Sequence, residues 1–281
     1  MNKKIIAGII IGLVLGSVSV YAGTKFYASD VSVNAPTGSG LGSNATLQNA
    51  LDDLYSKLSY KDGTAIYYNP NTGKKCTSSE AVSKTGTKSG CMKWYIFGDG
   101  IGHETVNMIL DHNTTARVYW SKTTDEVTMT EARTVLENDT KGWVNIARFI
   151  SPFEVATITG NTNFSGLYSQ RFYLDSNSQN KTANSKGASK YAWLYDYTYN
   201  CTSSGCNTED NNVYKTYSDN SISGYNYGYW TNARVEDVRG LSWAVGYAGY
   251  LWGDGVDSTA TTGHSDRGIR PVITVSKSII K

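Results

Sequence analysis

"YWTNARVEDVRGLSWAVGYAGYLWGDG" (residues 229–255) and "RGIRPVITV" (residues 267–275) decide how this chain is read. Short apolar runs alternate there with Gly, Asp, Arg and Thr. Apolar runs of this length between turn-forming residues read as strands. Three strands are expected, over Tyr227–Thr231, Ser242–Tyr247 and Ile269–Val275. Exposed loops are expected between them, starting at Asn232 and again at Tyr247. The stretch also holds Trp230, Trp243 and Trp252, out of seven Trp in the chain.

Upstream, the texture is also that of short strands and loops. "GTAIYYNP" (63–70), "CMKWYIFG" (91–98) and "TVNMILDHNTT" (105–115) read as strands, the last ending at Asp111-His112-Asn113. "TMTEARTVLEN" (128–138) reads as a helix around Glu131 to Leu136. "ISPFEVATITG" (150–160) carries complete helix punctuation. Ser151 is placed to cap it, Pro152 opens the first turn, Glu154 completes a capping box and Gly160 ends it. Asn161–Gly187 and Asn207–Asn226 are polar and read as loops. Strands, then helices, then long loops and strands again indicate an α+β fold, not an alternating βα chain.

The chain of 281 residues has room for one large domain or two small ones. Residues 62–281 are expected to form that domain. Before it, Lys3 and Lys4 precede an apolar run from Ile5 to Val20, with small residues placed for cleavage after Ala22. Residues 1–22 therefore read as a signal peptide or, if uncleaved, a membrane anchor. Either way the remainder is exported, to the cell surface or beyond. Residues 23–45 read as a flexible linker. Residues 46–59 read as an amphipathic helix with Leu47, Ala50, Leu51, Leu54 and Leu58 on one face. That stripe either packs on its own domain or, from Leu47 to Leu58, joins copies into a homo-oligomer.

A net charge of +2 gives no broad electrostatic case for nucleic acid. Tyrosine is over-used, 21 against 6 Phe, which suits strands and binding surfaces alike. In an exported chain the four cysteines read as two local disulfides, Cys76–Cys91 and Cys201–Cys206. Four cysteines allow other connectivities, and zinc is the alternative, with poor ligand spacing.

Gly240-Leu-Ser242-Trp-Ala244 lacks the second Gly of a nucleophile elbow and reads as strand entry. The three histidines, His103, His112 and His264, show no zinc-helix spacing, and His112 reads as part of a solvent-facing turn. Asp254, Asp257 and Asp266 do not follow a calcium-loop pattern, so they read as an ordinary polar loop. No catalytic residue, metal ligand or cofactor is assigned.

Four elements carry a resemblance: Tyr229-Trp230-Thr231, Trp243-Ala-Val245, Gly249-Tyr-Leu251 and Gly268-Ile-Arg270-Pro271-Val272-Ile273. The C-terminal part resembles the C-type-lectin-like fold in its bacterial branch, which includes formylglycine-generating-enzyme-like domains and retroelement variable proteins. It is most similar to a secreted family of gut Firmicutes, to which "GCMKWYIFG", "NMILDHNTT" and "ARFISPFEVATITG" also correspond. The resemblance spans about residues 62–281. It implies a mixed domain with two helices, a small twisted sheet and long loops, closed by a last strand beside the first. It also implies that Trp230, Trp243 and Arg270 are structural. The sugar-binding calcium loops of C-type lectins and the reactive C-terminal cysteine pair of the enzymes have no counterpart here.

The function expected is a non-catalytic ligand-binding or adhesion protein, with a protein or glycan as ligand. Its face would comprise Asn232, Arg234, Glu236, Asp237 and Arg239 from one loop, with Tyr247, Tyr250, Trp252, Asp254, Asp257 and His264 from the next. Such mixtures of rigid aromatics and adaptable polar groups suit recognition. The alternatives are a structural component of a surface or phage assembly and, at greater distance, a glycan hydrolase.

Overall fold

The computed structural model describes residues 60–82, 87–99, 103–123, 127–175, 190–195, 228–246, 249–257 and 267–280, within the unit Ser59–Lys281. The segments 1–22, 23–45 and 46–59, and the Cys201–Cys206 pair, lie outside the described residues.

Met92–Phe97 is buried at every position, and that decides the architecture. A strand with no solvated side needs a hydrophobic layer on each face. Met92, Trp94 and Ile96 enter one core cluster, while Tyr95 and Phe97 enter another. Leu241–Gly246 is likewise buried throughout. Trp243 and Val245 face the cluster shared with Tyr95, and Ala244 faces a third. Two sheets therefore stack with one core between them and another on each outer face.

The described strands are β1 (Ala65–Asn69), β2 (Lys74–Lys75), β3 (Met92–Phe97), β4 (Thr105–Leu110), β5 (Thr115–Val118), β6 (Phe172–Tyr173), β7 (Tyr229–Arg234), β8 (Leu241–Gly246), β9 (Tyr250–Gly255), β10 (Arg267–Ile269) and β11 (Val272–Ser276). The helices are α1 (Glu131–Asp139), α2 (Pro152–Thr159) and the four-residue turns α3 (Ala192–Tyr195) and α4 (Lys277–Ile280). One sheet has the order β11-β4-β3-β1-β2 and the other β5-β10-β7-β8-β9-β6. The class is α+β, with two sheets in place of one small sheet.

The expected strand Ile269–Val275 is two strands. β10 lies parallel to β7 in the second sheet, while β11 pairs antiparallel with β4 in the first. The chain changes sheets at Arg270-Pro271. Pro271 has no N–H to give to a ladder, and its carbonyl accepts from the Leu110 N–H at 2.9 Å. The closing strand thus lies beside β4 and not beside β1, because β3 and β4 stand between them. Arg270, 1% exposed, pins this crossover. Its guanidinium donates to the carbonyls of Leu110, Asp111, Trp193 and Leu194.

α2 forms as its local signals dictate. Glu154 accepts from the Ser151 N–H, Ser151 Oγ accepts from the Phe153 N–H, and Gly160 ends the helix in the left-handed region at φ 78°. Glu154 also receives Arg148 through two hydrogen bonds of 2.6 and 2.8 Å. α1 buries Ala132 and Leu136 against Trp230 on the outer face of the second sheet. Cys76 and Cys91 form a disulfide that closes the excursion between β2 and β3.

Candidate functional site

The edge of the second sheet, where the two-residue β6 flanks β9, gathers the site. Residues 250–255, read from sequence as loop, form a full strand paired with β8 from Leu241↔Gly255 to Gly246↔Tyr250. The glycines that suggest a loop are there because aromatic rings lie across the backbone. A Cβ on Gly246 would lie 2.3 Å from the Tyr250 ring. A Cβ on Gly253 would lie 3.0 Å from the Tyr168 ring.

The two-residue period of β9 puts Tyr250, Trp252 and Asp254 on one face. Asp254 is the buried end of this row. Its Oδ2 accepts from Arg267 Nε at 2.9 Å and from Nη2 at 2.7 Å, with the two side chains 4% and 1% exposed. Arg267 also hydrogen-bonds the Tyr250 side chain. Burial pushes the Tyr250 hydroxyl above its ordinary titration range, against the pull of Arg267. An internal ion pair thus supports a half-buried tyrosine.

The neighbouring rings meet edge to face. Tyr250 and Trp252 have centroids 5.8 Å apart, and Tyr173 of β6, paired with Tyr250, lies 6.1 Å from it. Tyr173 is 39% exposed. A single 3₁₀ turn, Tyr168–Gln170, brings Tyr168 to 6.3 Å from Trp252, with the rings inclined at 84°. The Arg171 guanidinium sits in the corner between them, 4.4 Å from the Trp252 centroid and 4.7 Å from Tyr168. Asp237 tethers the turn by accepting from the Tyr168 N–H at 2.7 Å. Glu236 tethers it from the other side, its N–H donating to the Gly166 carbonyl.

The expected residues separate accordingly. Tyr250, Trp252, Glu236 and Asp237 converge on this edge. Asn232 is exposed on β7, its backbone N–H on the Ile150 carbonyl, and Arg239 is exposed in the β7–β8 turn. Arg234 is half-buried opposite Ser242. Asp254 and Asp257 are corrections, because at 3% and 2% exposure they are interior and not part of a ligand face. The physical reason for Asp254 is Arg267, which draws the carboxylate inward. Tyr247 and His264 lie outside the described residues. Tyr168, Arg171 and Tyr173 belong to a stretch read as polar loop. The signal available there was the aromatic series Phe164, Tyr168, Phe172 and Tyr173.

Trp230 and Trp243 are fully buried on opposite faces of the sheet. Trp230 Nε1 donates to the Val118 carbonyl, and Phe164 packs edge to face on Trp243 at 5.1 Å. His112 corrects another expectation. It is 2% exposed instead of solvent-facing, and burial holds its imidazole below the usual range. Among the described residues no cluster of His, Cys, Asp or Glu is arranged to hold a metal, and no helix is long and apolar enough to cross a membrane.

Compared with known proteins, the chain matches no family model, no curated protein and no solved structure.

Proposed function

We propose that this chain is an exported, non-catalytic recognition protein, at the cell surface or secreted, displaying a C-type-lectin-like domain. The observation that carries the reading is the aromatic edge of β9. Tyr168, Tyr173, Tyr250 and Trp252 come from segments about eighty residues apart and form one partly exposed cluster, with Arg171 set against Tyr168 and Trp252. Rigid rings with little entropy to lose are effective anchors for a ligand. The ion pair beneath Tyr250 gives them a fixed support.

The Cys76–Cys91 disulfide supports an oxidising compartment, in keeping with residues 1–22 as a signal or anchor. The two helices of two turns or more and the irregular connections support the lectin-like reading of the fold.

The test is capture of immobilised host mucin by the wild-type chain and by the Tyr173→Ser/Trp252→Ser variant. Both positions are partly exposed, so the variant is expected to melt close to the parent while losing capture. Equal capture by the two proteins removes this edge from the site.

A further inference from the structure

The guanidinium of Arg171 is held by two rings, yet it has no hydrogen-bond acceptor and no carboxylate partner among the described residues. Other arginines of the domain are satisfied internally: Arg148 by Glu154, Arg267 by Asp254, and Arg270 by backbone carbonyls. Arg171 is exposed, and its backbone N–H closes the 3₁₀ turn onto the Tyr168 carbonyl. The cation is therefore oriented without being neutralised. A planar guanidinium offers parallel N–H groups that match the oxygens of a carboxylate or sulfate.

Two further features lie on the same edge. Tyr173, exposed, presents ring surface suited to a flat C–H face, and Tyr250 braces it edge to face at an angle of 82°. Asp237, exposed and engaged on the Tyr168 N–H through Oδ1, keeps acceptor capacity for a hydroxyl. An anion, a flat C–H face and hydroxyl groups together describe one ligand chemistry.

We infer that the β9 edge recognises an anionic sugar, with Arg171 reading its carboxylate or sulfate while the sugar ring rests on Tyr173. This inference rests on the recognition reading above and names its ligand class. A carboxylate source and a sulfate source share the chemistry, and the test separates them.

The experiment titrates the full-length chain with lactose, 3′-sialyllactose, digalacturonic acid and 3′-sulfolactose, followed by tryptophan fluorescence and calorimetry. At least one anionic sugar is expected to bind tenfold or more tightly than lactose, and more weakly as salt is raised. Arg171→Gln is expected to abolish the preference, so that the variant binds that sugar no more tightly than it binds lactose. Arg171→Lys is expected to retain part of the preference, since it keeps the charge and loses the fork. The inference is overturned if no anionic sugar binds better than lactose, or if Arg171→Gln leaves the preference intact. It is also overturned if a pentaglutamate peptide binds as tightly as the best sugar, which would mean that charge alone is read. Mucin capture in parallel keeps the two readings apart. Capture lost in Tyr173→Ser/Trp252→Ser but indifferent to Arg171→Gln and to sialidase and sulfatase treatment of the mucin rejects the anionic sugar and leaves the recognition face standing.

Discussion

Asp254→Asn tests whether the edge proposed for binding hangs on the interior. The substitution keeps the size of the side chain and removes its charge. Arg267, 1% exposed, then keeps its own charge while losing the carboxylate that receives its Nε and Nη2. Removing one partner of a buried pair costs about 3–5 kcal/mol, mostly as the penalty of the charge left behind. With a urea slope of about 2 kcal/mol per molar, the midpoint falls by about 1.5–2.5 M. Urea unfolding followed by tryptophan emission reads it directly. Replacing both partners, as Asp254→Leu with Arg267→Met, is expected to recover much of the loss, since a buried pair contributes little beyond an apolar isostere. The Tyr250 side chain loses its Arg267 partner in the double variant, so stability returns without ligand binding. A midpoint within about 0.3 M of wild type in the single variant would refute the reasoning, because the pair would then be hydrated.

Three further outcomes are expected. Mass spectrometry of the non-reduced protein finds Cys76 joined to Cys91, and the Cys76→Ser/Cys91→Ser variant loses about 3 kcal/mol, the loop-entropy value for a separation of 15 residues. Gly246→Ala places a Cβ 2.3 Å from the Tyr250 ring, so overpacking costs about 1–3 kcal/mol in thermal melts and mucin capture falls with it. His112 titrates lower when folded because it is buried, so the unfolded chain binds the proton first as pH falls from about 6.5. Its contribution is therefore present above that pH and is lost as pH drops toward the depressed folded value. Urea midpoints at pH 7.5 and 5 should differ more for wild type than for His112→Gln, and equal differences would remove His112 as the cause.

What could be read from sequence were the features settled within one turn or one strand. The α2 helix was legible because Ser151, Pro152, Glu154 and Gly160 satisfy its ends locally. The runs at 92–97 and 241–246 were legible as strands because their apolar residues are contiguous. The Cys76–Cys91 pair was legible because both cysteines flank one short loop. Other features depended on partners distant in sequence. Tyr250–Gly255 looks like a loop until Tyr168 and Tyr250 are seen lying against Gly253 and Gly246. Asp254 looks like a surface ligand until Arg267, thirteen residues on, draws it inside. Ile269–Val275 looks like one strand until Arg270 finds carbonyls 76 to 160 positions away and Pro271 releases the ladder. The site itself was the least legible part. Arg171 and Trp252 are eighty-one positions apart, and only the β6–β9 pairing sets the cation against the ring. Local sequence fixes backbone punctuation and apolar period, whereas burial of a charge and the meeting of two rings are properties of the packed sheets.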